Sequence, residues 1–301
     1  MKNENTYKLN LILSMLIFGT IGLVVRNIPL PSSFIAFARG AIGSVVLVLF
    51  FVIRRRKLSL SAIRQNIAPL LISGVVLGLN WISLFEAYRY TTVATATLCY
   101  YMAPVFVMIV SPLFLHEKPE SHRVICVLVS LVGMVLVSGI TDFRNFDISE
   151  LRGVLLGLLA ASLYCCIVIC NKKLTNIGSE DTTVIQLAVS AVTMLIYVLI
   201  TEDVTAFVFT KSSVLWLLTA GIVHTGVAYL LYFASVNKLK AQTTAVYSYI
   251  DPLVAVAVSV LILKEGMTLL SVVGALLILG STLFSELFSA KKKRTVDINK
   301  D

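Results

Sequence analysis

Charge is scarce in this 301-residue chain. Only 14% of residues are charged against 58% hydrophobic, and mean hydropathy is +0.92. A soluble domain needs a polar surface that this composition does not supply, so the chain reads as a polytopic membrane protein. Metal-ligand spacing is missing too: Cys99, Cys126, Cys165, Cys166 and Cys170 all lie in apolar stretches and read as buried thiols. No GxxxxGKS/T run is present, so ATP is not the direct energy source. HExxH and DxxD are absent, and the acids inside apolar stretches are few and far apart. That argues against an enzyme acting on lipid-like substrates. No cofactor and no metal are expected. The net charge of +9 would suit nucleic acid, but the basic residues sit in short loops and the tail, so no nucleic-acid partner is expected. Lys2 and Lys8 precede an apolar run that reaches Val25 without a small-residue cleavage pattern, and it reads as a retained first span.

What is there is a series of apolar runs. A spanning helix needs about 20 such residues. Ten candidates follow: 8–26, 32–53, 67–88, 92–115, 122–140, 152–171, 181–201, 213–236, 242–263 and 268–287. Short connections make neighbours antiparallel hairpins. Residues 288–301 form a polar tail, expected to be disordered from Lys291 onward. With a cytoplasmic N-terminus, eighteen lysines and arginines fall inside and six outside, and Arg39 lies within a span. That bias places both termini in the cytoplasm and the chain in the plasma membrane.

Thr243–Glu265 organises the rest. It is long enough to span, yet it carries Asp251 directly before Pro252 near its middle. Thr95–Glu117 has the same layout. Shifted by 148 residues, Phe85, Thr95, Tyr101, Pro104, Ser111 and Glu117 fall on Phe233, Thr243, Tyr249, Pro252, Ser259 and Glu265. Residues 1–140 and 152–287 therefore read as two copies of one unit. Five spans each would make the second copy enter from the opposite side. Inverted repeats of this kind place a substrate site near midplane at their interface.

These residues resemble the drug/metabolite transporter superfamily, EamA type. The resemblance rests on AYRYTTVATATLCYYMAPVFVMIVSPLFLHE, the repeated Pro-to-Glu spacing (Pro104/Glu117, Pro252/Glu265), Gly133 and Gly280, and Arg39 in FARGAIG. It covers nearly the whole chain. It implies an all-α integral membrane fold of ten transmembrane helices as two inverted five-helix repeats, a central cavity, and transport, often export, of small metabolites. Glu86 departs from it, since a neutral residue is expected there.

Polar groups inside the apolar runs are the candidate site. Asp251 shares a helical face with Thr244, Tyr247 and Ser248. It binds a substrate amine, carries a coupling proton, pairs with Arg39, or caps groups freed at Pro252. Pro104 and Pro252 are expected to break their helices. Arg39 lies about 10 Å inside its span. It snorkels outward, pairs with Glu86, the best match in depth, or clamps a substrate carboxylate; the alternative for Glu86 is a local pair with Arg89, three residues on. Asn80, with Trp81 beside it, is glue between helices or a substrate contact. His224 relays protons with an acid or bonds a carbonyl. Tyr101, Tyr247 and Tyr249, with Tyr100, flank the prolines and suit stacking or cation–π contact, or fill the core. Tyr88, Tyr90 and Trp216 read as interface-belt residues. Glu117 and Glu265 cap the next spans or latch gates.

Three functions compete: a secondary transporter, a membrane enzyme, and a channel or structural subunit. Equivalent polar rings would favour a channel, but Asp251 aligns with Ala103 and His224 with Val76. The transporter reading fits best. An amino-acid-like substrate suits one acid, one arginine and several tyrosines. The partners expected are the small-molecule substrate, the lipid bilayer and a coupling proton or other ion, and a homodimer is compatible.

Overall fold

The computed structural model describes residues 2–115, 121–138, 148–236 and 238–298. Regular structure among these residues is helical throughout. Besides two short pieces, Leu60–Gln65 and Val204–Ala206, the helices in chain order are α1 (Glu4–Arg26), α2 (Ser32–Ile53), α3 (Ile67–Tyr90), α4 (Val93–Tyr100 and Ala103–Leu115), α5 (Ser121–Val137), α6 (Ile148–Lys172), α7 (Ser179–Thr201), α8 (Lys211–Val236), α9 (Ala241–Ser248, Ile250–Ala257 and Val258–Ile262) and α10 (Leu269–Ile298). Seven of them, α1–α4 and α6–α8, are long and apolar enough to cross a membrane. The other three hold shorter apolar stretches: Val124–Val137, Val246–Ile262 and Leu269–Ser285. The tail departs from expectation, because α10 stays helical to Ile298. Lysine and arginine are good helix formers, and positive charge suits a helix C-terminus.

Helices dominate because lipid offers no partner to backbone N–H and C=O groups, and a helix satisfies them internally. The hydroxyls on these helices follow suit. Ser73, Ser83, Ser235 and Ser281 each donate to the carbonyl four residues back. Large apolar side chains such as Val45, Leu49, Val52 and Ile53 on α2, and Ile196 and Ile200 on α7, face outward, as a lipid-facing surface requires.

The helices pack in a recurrent pattern. α3 lies along α6, and α8 lies along α1. α2 runs beside α7, and α5 beside α10. The first half of α4 meets the second half of α9. α5 and α10 meet at a close approach: a Cβ on Gly274 would come within 2.5 Å of the Gly133 carbonyl oxygen. Gly280, singled out in the sequence beside Gly133, has nothing within 4 Å. Close packing therefore uses Gly274 in its place.

Several helices are interrupted. α4 consists of Val93–Tyr100 and Ala103–Leu115. α9 breaks at Tyr249. Tyr101 and Tyr249 are repeat equivalents, so both copies break at the same place. Pro104 and Pro252 stand in the first turn of the half-helix that follows, where a missing N–H costs nothing. α1 breaks at Thr20. α8 contains a π-helical stretch, Thr219–Val227, that sequence periodicity did not reveal. Such widened turns occur often at functional sites.

Candidate functional site

The α4 and α9 breaks place Tyr101 and Asp251 together. Tyr101 Oη donates to Asp251 Oδ2 at 2.8 Å. α1 passes directly behind Asp251. A Cβ on Gly19 would meet the Asp251 carbonyl oxygen at 2.5 Å and Val254 Cβ at 2.6 Å. Only glycine lets α1 come this close.

Arg39 is 6% exposed on α2. Its Nε donates to Thr225 Oγ1 at 2.9 Å. Its guanidinium carbon lies 4.2 Å from the Trp81 ring centroid and 5.7 Å from that of Phe85. No carboxylate within ion-pair distance meets it among the described residues, and no hydrogen bond there uses its Nη groups. An unpaired charge inside a membrane costs about 3 kcal/mol on insertion scales. A desolvated cation over tryptophan recovers about 2 kcal/mol. Asp251, Tyr88, Tyr100 and Tyr229 all lie within electrostatic reach of Arg39.

The expected Arg39–Glu86 pair is not formed. Glu86 accepts from Ser32 Oγ at 2.7 Å and lies 3.6 Å from Arg89 Nε. Both partners sit near it at the end of the span, whereas Arg39 lies deeper. Thr225, which holds Arg39, also donates to the Ala220 carbonyl five residues back, as the π-helical turn requires. The neighbouring His224 places Nδ1 at 3.2 Å from the Thr219 carbonyl and Nε2 at 3.0 Å from Thr20 Oγ1. A carbonyl only accepts, so Nδ1 carries a proton. Neither partner is an acid, so among the described residues no hydrogen bond joins His224 to one. The π stretch presents one residue to the α1 break and the next to Arg39.

Tyrosines surround Asp251. Tyr100 meets Tyr101 and Tyr164 edge-on at 6.2 and 5.7 Å. Phe18 of α1 meets Tyr229 and Tyr232 of α8 at 5.4 and 6.5 Å. Tyr164 lies within electrostatic reach of Tyr229, Tyr232 and Asp251, yet it is 40% exposed. Sequence reading missed it. Its signal was a tyrosine well inside the 152–171 run, away from either end.

The remaining candidates scatter. Asn80 donates to the Ala160 carbonyl at 2.6 Å and joins α3 to α6; its Oδ1 has no partner among the described residues. Tyr249 packs in an apolar cluster with Leu98, Met102 and Ile278. Tyr247 is partly buried, near Lys8 at the opposite end of the bundle from Arg26. Thr244 Oγ1 is buried and has no partner among the described residues. Tyr88 is 2% exposed and bonded to Thr97, so it is not an interface-belt residue. The expectation for Glu117 lies outside the described residues.

The EamA-like transporter family matches residues 6–139 and 151–287. The chain belongs to that family. It is a multi-pass membrane protein of transporter type with two EamA repeats, and a transporter's partner is a small-molecule substrate. An uncharacterized transporter of Bacillus subtilis, YxxF, is 26% identical over 85% of this chain and 81% of its own. An uncharacterized transporter of Archaeoglobus fulgidus is 25% identical over 91% of this chain and 94% of its own. The pseudopaline exporter CntI of Pseudomonas aeruginosa is 28% identical over 50% of this chain and 52% of its own. A solved crystal structure of 17% identity shares the fold, with a TM-score of 0.65 over 96% of this chain and 99% of that one.

Proposed function

We propose that the chain is a secondary active transporter that exports a small, amino-acid-like metabolite by alternating access. The observation that carries this reading is Arg39. It is a buried cation held by Thr225 and Trp81, with its Nη groups left for an anion. Asp251 is within reach of the same space and offers an acceptor for an ammonium group. Tyr88 and Tyr100, within electrostatic reach of both, suit a ligand with a flat or apolar body. A substrate carboxylate on Arg39 and an amine at Asp251 would satisfy both charges. Ion coupling would then run through Asp251, with a proton or another cation taking the place of the amine.

The packing pattern supports two inverted five-helix repeats, 1–140 and 152–287, and hence ten crossings. Under the repeat, α1 to α5 correspond to α6 to α10. The α3–α6 pair then maps onto α8–α1, and α2–α7, α4–α9 and α5–α10 each map onto themselves. A two-fold axis through the centre gives this pattern. The lysine and arginine bias supports a plasma-membrane protein with both termini, and the tail 288–301, on the cytoplasmic side. A relative matched over half its length is named for exporting pseudopaline, which favours export. The chain is not read as an enzyme. A homodimer is compatible with the lipid-facing surface.

The test is thermal stabilisation of the purified protein against amino acids, nucleosides, polyamines and aromatic cations at two pH values. A ligand that binds only the folded state raises stability by mass action. Hits confined to zwitterions, lost in Arg39→Met and in Asp251→Asn, support the reading. Hits that survive both variants sink this site.

A further inference from the structure

We propose that Glu265 is a gating residue of the transport cycle: its carboxylate ties three helices shut at one end of the central site and must be released for that end to open. The proposal rests on the alternating-access reading above.

Glu265 lies just past α9, and its side chain is 13% exposed. Oε1 accepts from Arg26 Nη2, at the end of α1, at 2.7 Å. Oε2 accepts from the backbone N–H of Val93, the first residue of α4, at 2.8 Å and from Ser259 Oγ. Ser259 Oγ in turn accepts from the Ala94 N–H at 3.2 Å. Arg26 also donates to the Thr91 carbonyl at 2.8 Å. Carboxylate and guanidinium together join α1, α4 and α9 across both repeats.

The α4 N-terminus explains why this is more than a cap. A helix start leaves N–H groups unpaired, and nearby side chains usually take them. Thr92 does so for Thr95 N–H. The N–H groups of Val93 and Ala94 depend on Glu265 and Ser259, more than 160 residues away in sequence. Partners from the other repeat are in place only while the repeats meet at this end. Lys264 adopts a left-handed φ of 55° to turn the chain, and Glu265 N–H bonds back to the Ser259 carbonyl at 3.0 Å. That conformation is costly for lysine and aims Glu265 at α4.

The latch lies over the site. Tyr88, bonded to Thr97, is within electrostatic reach of Glu265 on one side and of Arg39 and Asp251 on the other. The packing of α4 and α9 is one-sided as well. Val93–Tyr100 packs on Ile250–Ile262, whereas Ala103–Leu115 and Ala241–Ser248 make no comparable contact among the described residues. Among the described residues, α4 and α9 pack closely at the Glu265 end and make no comparable contact at the other. The repeat adds an asymmetry. Glu265 and Ser259 correspond to Glu117 and Ser111, but Arg26 corresponds to Leu174. In sequence, the Arg26 position is therefore not repeated as an arginine, although Lys172 and Lys173 directly precede Leu174.

The test uses full-length protein in nanodiscs, where an impermeant maleimide reaches both faces. One reporter is Thr97→Cys, buried beneath the latch. The other is Tyr247→Cys, at the opposite end. The same chain without the added cysteine corrects for the five native thiols. Each reporter is combined with Glu265→Gln and with Arg26→Gln, and melting curves check folding. Release of a gate raises labelling at position 97 about tenfold or more and lowers it at position 247, because opening one end closes the other. Glu265→Asp, which keeps the charge, restores part of the wild-type pattern. Faster labelling at 97 with no fall at 247 would reduce Glu265 to a structural cap, and no change at either position would overturn the latch altogether. In both of those cases, zwitterion stabilisation that depends on Arg39 and Asp251 would leave the transporter reading standing.

Discussion

Tyr101 and Asp251 meet at 2.8 Å, and each marks a helix interruption. Tyr101 occupies the α4 break, and Asp251 lies two residues past the equivalent break in α9. Their hydrogen bond therefore joins the half-helix junction of one repeat to that of the other. A change of state that moves α4 against α9 must alter this bond. Under the proposed alternating-access cycle, it would link the protonation or ligation of Asp251 to the relative position of the repeats.

Asp251→Asn is expected to abolish flux in proteoliposomes while the protein still folds, because the amide keeps the size but not the charge. Tyr101→Phe removes one hydrogen bond to a charged group, a loss of about 1.5–3 kcal/mol. Its flux should fall by about tenfold or more, since 1.4 kcal/mol is a factor of ten. Wild-type flux from Asp251→Asn would remove Asp251 from the mechanism.

Arg39 and Glu86 should behave independently. Arg39 rests on Trp81 and Thr225, and Glu86 on Ser32 and Arg89. In a double-mutant cycle of Arg39→Met and Glu86→Gln, thermal unfolding should give effects that add within about 0.5 kcal/mol. A coupling above about 1 kcal/mol would restore the direct pair.

Arg39→Lys tests the same geometry from the ligand's side. Lysine keeps the charge but cannot present a flat face to Trp81 while holding Thr225. It should lose most of any carboxylate-dependent stabilisation, although the protein folds. Full retention would mean that charge alone suffices.

The helices, the repeat and the interruption beside Asp251 were legible because each leaves a local pattern: an apolar run, a fixed offset, an acid before a proline. What escaped depends on distance. Nothing near Arg39 in sequence points to Trp81, 42 positions on, rather than Glu86. Depth along a span ranks candidates but does not say which face they share. Tyr88 looked like an interface residue from its position, yet α4 covers it through Thr97. The π turn in α8 shifts His224 and Thr225 out of the 3.6-residue register that periodicity assumes. Glu265 was read as a cap or latch, but its partners Arg26 and Val93 are visible only once α1 and α4 are placed against α9.

Gly19→Val should impair the protein more than its small volume suggests. A Cβ there strikes the Asp251 carbonyl and Val254, so α1 must move from the site. Overpacking of this kind costs about 1–3 kcal/mol. A lowered melting temperature with weakened ligand stabilisation is expected. Unchanged ligand binding would show that α1 does not set the Asp251 position.

The α5–α10 pair offers a matched comparison of two glycines on one helix. A Cβ at Gly274 meets the Gly133 carbonyl oxygen at 2.5 Å and Val137 N at 3.0 Å, both backbone atoms that cannot rotate away. A Cβ at Gly280 meets nothing within 4 Å. Helix propensity favours alanine over glycine by about 1 kcal/mol at either position. At Gly280 that gain is unopposed, so Gly280→Ala should leave the melting temperature unchanged or raise it. At Gly274 the gain is outweighed by pushing α5 and α10 apart. That separation also strains the Ser130–Ser281 hydrogen bond of 2.6 Å, which spans the same pair. Gly274→Ala should therefore melt lower than the wild type. Equal melting of the two variants would mean that α5 and α10 do not approach at Gly274 as described.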